Sequence, residues 1–209
     1  MATKQKRKNL TAKTQKTFDA IIKYAKKEFS KNGYSSTSIH NIAKRARLSV
    51  GCIYKYFKNK DDLYKYIITN EQLKIRQYLD EAIGQCKDRR EKEKSGLRGW
   101  LFYVRDNPGV YKLIWETLFI NKKAFDEYYN SFANSYKKAL EKDANELSNS
   151  DYENIAYILI GISNFLGVKI ITSETKISDE EIEKMVESAD KLLSEGLFKY
   201  WRFSLCFFF

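Results

Sequence analysis

The side chains best suited to chemistry in this chain cluster in one short stretch, Gly51-Cys52-Ile53-Tyr54-Lys55-Tyr56. The chemistry they fit is contact with a nucleic acid. Lys55 can pair a phosphate or a guanine edge, and the Tyr54 and Tyr56 hydroxyls can donate to phosphate oxygens. Gly51 lacks a side chain and lets backbone approach closely. Ser38 stands where a helix N-terminus would aim backbone N–H groups at a phosphate, and Lys60 follows at the head of the next helical pattern. Other chemistries are poorly provided for. His40 is the one histidine; it excludes a multi-histidine metal site and reads as a solvent-facing helix residue. Cys52, Cys86 and Cys206 are odd in number and far apart, which argues against a disulfide framework or zinc ribbon and fits a reducing cytosol. With no nucleophile–base pairing, phosphate loop or metal spacing, the expectation is no enzyme, no cofactor and no metal.

Charge points the same way. Residues 1–60 hold 16 lysines and arginines against Asp19 and Glu28, a net +14. The whole chain carries +11, so the remaining 149 of its 209 residues total −3. A strongly basic module ahead of a mildly acidic body is the footprint of a part that meets a polyanion and a part that does not. Lys4, Lys6, Arg7, Lys8 and Lys13 form a basic arm over 1–13, either a backbone or minor-groove contact or a solubilising tail. No segment approaches the roughly 20 apolar residues that span a bilayer, and the basic start is not followed by an apolar signal core. A cytoplasmic protein without a membrane partner is expected, with an odd apolar tail over 204–209.

The elements that must position these groups read as helices throughout. Hydrophobic residues make up 43% of the chain, with a single proline and nine glycines, so hairpin punctuation is scarce. Phe18, Ile21, Ile22, Ala25 and Phe29 follow the helical period, and Gly33 suits a C-terminal cap. A short helix carries Ile39, Ile42 and Ala43; Arg47-Leu48-Ser49 breaks it; a third holds Ile53 and Phe57. The spacing predicts further helices from Asp61 to Gly84, Leu97 to Arg105, Pro108 to Ile120, Lys122 to about Leu147, Asp151 to about Thr172 and Ser178 to about Phe203. The charged run Lys87 to Lys94 reads as a solvated helix end or loop. Ser178 and Glu181 form a capping-box pattern. About nine helices and no strand make an all-α fold.

Two runs make a family resemblance. Thr37-Ser38-Ile39-His40-Asn41-Ile42-Ala43-Lys44-Arg45-Ala46 and the stretch Leu48 to Leu63, with its Gly-x-x-Tyr-x-Tyr-Phe-x-x-Lys core and Asp61-Asp62-Leu63 continuation, resemble the DNA-binding domain of TetR-family transcriptional regulators. The resemblance implies a helix-turn-helix domain over 14–60, a helical ligand-binding and dimerisation domain over 61–203, and a homodimer on a partly palindromic double-stranded operator. By position it implies DNA contacts from Ser38, Ser49, Gly51, Cys52, Tyr54, Lys55, Tyr56 and Lys60. Val50 departs from the family's usual basic or polar residue and suggests an apolar contact to a thymine methyl.

Aromatic residues crowd the middle of the chain, and ligand pockets are lined by such side chains. Trp100, Tyr103, Tyr111, Trp115, Phe119, Tyr128 and Phe132 are the candidate ligand residues, with Glu116 either orienting the ligand or standing as an exposed, ion-paired carboxylate. The ligand class expected is small, elongated and mainly apolar, an acyl chain or acyl-CoA being one example. Ile155, Leu159, Ile162 and Leu166 form one apolar stripe, with Gly161 and Gly167 allowing close approach. Ile182, Val186, Ala189, Leu193, Leu197 and Tyr200 form another; together they are the expected dimer interface. The function expected is a ligand-responsive regulator, a repressor released by its effector. The alternatives are an enzyme or carrier for an apolar molecule, and a non-specific DNA-binding protein.

Overall fold

A computed structural model describes residues 11–197 apart from residue 149. Lys4, Lys6, Arg7 and Lys8 of the arm, Cys206, Tyr200 and the 204–209 tail lie outside the described residues. The described residues form nine α-helices and no strand: α1 (Ala12–Asn32), α2 (Ile39–Ala46), α3 (Val50–Tyr54), α4 (Lys60–Ile83), α5 (Arg89–Asp106), α6 (Pro108–Ile120), α7 (Lys122–Lys142), α8 (Tyr152–Thr172) and α9 (Asp179–Glu195). The all-α expectation holds.

Local signals set most boundaries. Thr11, Ser38, Ser49, Asn59, Asp88, Asn121, Asp151 and Ser178 each accept a backbone N–H at a helix start. Ser178 and Glu181 complete the capping box. Gly33 closes α1 at φ 75°, a conformation that favours glycine. Lys13 falls in the first turn of α1 rather than in an arm.

Three predicted features are corrected. The 87–94 run is not a solvated end: α5 starts at Arg89, which is itself buried. Its guanidinium pairs with Glu93 and with Asp143, and Lys92 also reaches Asp143 at 2.9 Å. The last helix ends at Glu195, with Gly196 at positive φ, well short of Phe203. Finally, α8 is long and apolar enough, by length and composition, to cross a membrane. Its apolar surplus has another use, since one side packs on α5 and α7 while Tyr157, Ile158 and Phe165 stay exposed.

One core joins α1–α4 around Phe18, Ile21, Phe29, Ile42, Ile53, Phe57, Leu63 and Ile67, and admits Leu113 from α6. A second lies between α4, α5, α6, α8 and α9, around Ile75, Trp100, Leu101, Tyr111, Ile170, Ile182 and Val186. Helix α6 therefore touches both.

Candidate DNA-reading face and interior cavity

The reading face is built outward from the first core. Ile39, Ile42 and Ala43 anchor α2, and Ile53 and Phe57 anchor α3 and its exit, all buried. Between them Arg47 takes the left-handed conformation at φ 55°, and the Leu48 N–H donates to the Ala43 carbonyl at 3.0 Å. This tight turn presents Gly51, Tyr54 and Lys55 to solvent. Tyr54 is 50% exposed. A Cβ placed on Gly51 would meet nothing within 4 Å, so that surface is open for an incoming backbone. Ser38 and Ser49 Oγ cap their helices, accepting from Asn41 N at 3.1 Å and Cys52 N at 3.2 Å.

Four expected contact residues are placed differently. Tyr56 is buried, its ring edge-on to Phe18 and its hydroxyl donating to the Thr14 carbonyl at 3.3 Å. Burial pushes that hydroxyl's pKa up. Val50 and Cys52 are partly buried against the same core. Lys60 turns its ammonium inward, donating to the Tyr34 and Thr37 carbonyls at 3.0 and 3.1 Å and lying 4.0 Å above the Tyr34 ring. These geometries remove Tyr56 and Lys60 from the outward set. The motif spacing located them correctly along the chain but could not show which way each side chain turned.

Lys60 belongs instead to a joint between the reading head and the body. Both Glu116 carboxylate oxygens accept the Tyr34 backbone N–H, at 2.9 and 3.0 Å, across the Gly33 cap. Burial raises the Glu116 pKa, and the nearby Lys60 charge opposes that. The Tyr34 hydroxyl bonds Asp61, and the Tyr64 hydroxyl donates to the Leu113 carbonyl at 2.9 Å. A second tie is Glu71, buried on α4 between Lys26 of α1 at 2.6 Å and Lys74 at 2.9 Å. Burial alone would push Glu71 up, but the two lysines' hydrogen bonds and charges bring its pKa below the ordinary value.

Within the body, α4, α5, α7 and α8 enclose a cavity of about 330 Å³, with Leu193 of α9 at its edge. Volumes of this order accommodate small ligands. One wall is a ladder on α7: Tyr128, Phe132 and Tyr136 follow at one-turn intervals, stacked at 6.2 and 6.1 Å. Ile75, Leu79, Leu97, Trp100, Leu159 and Ile160 supply the apolar remainder. The Trp100 indole N–H donates to the Ser163 carbonyl at 3.0 Å, which fixes its ring. The charged end is the Arg89–Glu93 pair, whose carboxylate also bonds the Tyr136 hydroxyl. Burial, the Glu93 charge and that hydrogen bond hold the Tyr136 hydroxyl well above its ordinary pKa.

Of the expected ligand residues, Trp100, Tyr128 and Phe132 line this cavity. The others do not. Tyr111 is buried in the second core, its hydroxyl on the Asn164 carbonyl at 2.5 Å. Tyr103 points its hydroxyl at Glu71, Trp115 packs beside Tyr111, and Glu116 caps the joint. Phe119 is 86% exposed. Aromatic density marked the right region, but only one face of α7, which includes Tyr129 beside Tyr128, lines the cavity. Tyr136, Arg89 and Glu93 were missed. Tyr136 was on the same period as Tyr128 and Phe132, whereas nothing local marked Arg89.

The expected dimer stripes also move. Ile182, Val186, Ala189 and Leu159 are buried within the subunit, Ile155 packs in a small cluster with Leu140, and Ile162 lines the cavity. Leu166 packs on the second core. A Cβ on Gly167 would come within 3.0 Å of the Tyr111 hydroxyl, so its close approach is internal. Leu193 at 47% and Leu197 at 74% exposure remain outward, as do Tyr157, Ile158 and Phe165 of α8.

Comparison with known proteins adds the following. Residues 21–67, which span α1 to the start of α4, match the family described as bacterial regulatory proteins, tetR family. The chain is similar to the HTH-type transcriptional regulator QacR of Staphylococcus aureus, 27% identical over 190 residues, covering 87% of this chain and 98% of QacR. Its fold is that of the fatty acid degradation regulator FadR from Bacillus halodurans (TM-score 0.73, 19% identity, 89% of this chain and 96% of that one). It is also that of AibR, solved in complex with isovaleryl coenzyme A and operator DNA (TM-score 0.68, 16% identity, 85% and 97%).

Proposed function

The chain belongs to the TetR family of transcriptional regulators, and from that premise we propose that it is an effector-released repressor acting as a homodimer on a partly palindromic operator. The observation that carries this reading is α6, which touches the reading head and the ligand-bearing body at once. Its Glu116 grips the turn after α1, while Leu113 enters the head's core. Its Thr117 and Asn121 line a second cavity in the body. A ligand that shifts α4, α6 or α7 therefore shifts the head.

Gly51, Tyr54 and Lys55 are the proposed DNA-facing residues, with Ser38 and Ser49 at the two helix starts. Two such heads must stand one helical turn of DNA apart, roughly 34–36 Å. A small rotation of each spoils that spacing. The effector need favour the non-binding arrangement by only about 1–3 kcal/mol to change operator affinity 5–150-fold. The proposed dimer face joins Tyr157, Ile158 and Phe165 of α8 to Leu192, Leu193 and Leu197 at the end of α9. These are the apolar side chains that the subunit leaves exposed there.

The proposed effector is small and mainly apolar, of the acyl class. The aromatic cavity supports this, as does the fold's occurrence in a protein bound to isovaleryl coenzyme A. Selection from a random duplex pool should return an inverted repeat, and an acyl ligand should release it. Recovery of no preferred sequence would overturn the operator reading in favour of non-specific binding.

A further inference from the structure

The larger cavity has a neighbour. A second space of about 240 Å³ lies between α4, α6 and α7, lined by Ile68, Gln72, Thr117 and Asn121 among others. Arg76 and Tyr128 border both spaces, so these two side chains form the seam between them.

The charges around the two spaces pair off except for Arg76 and Asp80, which stand one turn apart on α4. Lys65 faces Glu127 at 3.9 Å, Arg89 pairs with Glu93, and Arg89 and Lys92 share Asp143. Among the described residues lining these cavities, Arg76 is the cation with no carboxylate within ion-pair distance. It is half-buried, donates to Ser131 Oγ at 3.1 Å, and lies 5.7 Å from the Phe132 ring centre. Asp80 also borders the larger cavity but is exposed to water, whereas Arg76 is half-buried. The Tyr128 hydroxyl stands beside this cation and makes no hydrogen bond to another described residue. An unpaired guanidinium and an unused hydroxyl donor, next to an apolar aromatic chamber, match an anionic head on an apolar chain. A guanidinium's parallel donors suit a carboxylate in particular.

We propose that the effector is an amphipathic carboxylate, its head held at the seam by Arg76 and Tyr128 and its chain laid along the Phe132–Tyr136 wall of the larger cavity. This rests on the effector-cavity reading above and adds the sign and chemistry of the head.

The test uses four probes with one decyl chain: decanoate, decan-1-ol, decyltrimethylammonium and decanoyl-CoA, each below its micelle concentration. Binding to the full-length protein is followed by tryptophan quenching, Trp100 being in the cavity wall. Decanoate should bind at least tenfold more tightly than decanol, and the ammonium probe more weakly than either. Arg76→Met should erase the advantage of decanoate while leaving decanol within twofold. Arg76→Lys should restore most of it, and Tyr128→Phe should reduce it several-fold. Equal binding of all three heads would overturn the carboxylate assignment and leave the cavity reading standing, as would preference for the ammonium probe. So would a decanoate preference that survives Arg76→Met. Tight binding of decanoyl-CoA alone, indifferent to Arg76, would replace the carboxylate by a thioester. Binding of no probe would overturn the acyl-effector reading itself.

Discussion

The reading head and the interior cavity proposed for the effector are built on opposite plans. The head is a surface: its core closes almost entirely within residues 18–68, and Gly51, Tyr54 and Lys55, the residues proposed to face DNA, stand on it without internal duties. Gly51 has open space around it, and Tyr54 and Lys55 reach solvent. The cavity is an interior. Its walls come from residues 75 to 193, and the polar groups at one end, Arg89, Glu93 and Tyr136, are committed to one another. A surface site can lose a side chain and lose only binding; an interior site that loses one of these mutually paired groups loses stability first.

The contrast is broken or sharpened most strongly at Arg89. Arg89→Leu removes a buried guanidinium and leaves half-buried Glu93 without its cation, while Asp143 keeps Lys92; breaking a buried pair costs at most about 3–5 kcal/mol. Urea unfolding at fixed protein concentration should show a loss in that direction, and a change below about 1 kcal/mol would mean that the Arg89–Asp143 contact is not holding α5 to the end of α7. Gly51→Trp should do the reverse. Operator affinity should fall on the order of hundredfold, about 2.7 kcal/mol, with the melting temperature unchanged. If stability fell with it, the open surface around Gly51 would be refuted.

Glu71 lies between the two plans, buried but joining head to body. Because its folded-state pKa is depressed, its contribution is present above the ordinary carboxylate range and is lost as pH falls through the folded value. Glu71→Gln should therefore cost about 1.5–3 kcal/mol at pH 7, the gap from the parent protein closing on acidification. A gap that persists or widens at low pH would contradict the charge-based account.

The same division governed what the sequence made legible. Caps such as Ser38 and Ser178 act within four residues, so they could be read directly. The Phe18–Phe29 period likewise identifies the buried face of its helix. The 87–94 run misled because its carboxylates come from far along the chain: Asp143 for Arg89 and Lys92, Asp190 for Arg90, Glu187 for Lys94. Period also fails on α8, which is apolar on most sides. A stripe such as Ile155, Leu159, Ile162 and Leu166 cannot announce whether it faces its own subunit or another. Tyr56 and Lys60 show the same gap at the scale of one side chain.

The smallest expected effects separate those two residues from their neighbours. Lys55 is exposed on the reading face, and a phosphate contact contributes about 0.9 to the slope of log K against log salt. Lys55→Ala should lower the slope by about that amount per subunit. Tyr54 offers a neutral donor, so Tyr54→Phe should cost about 0.5–1.5 kcal/mol of operator affinity at every salt concentration, with the slope unaltered. Lys60→Ala is the control from the other side of the division. Its ammonium is engaged by the Tyr34 and Thr37 carbonyls, so its loss should appear in the melting temperature and leave the salt slope where it was. Were the slope to fall by about 0.9 with Lys60→Ala instead, the ammonium would have to swing out to a phosphate on docking. The joint at Tyr34 would then open whenever the protein is on DNA, and the head would be coupled to the body through release of Lys60 rather than through a rigid α6.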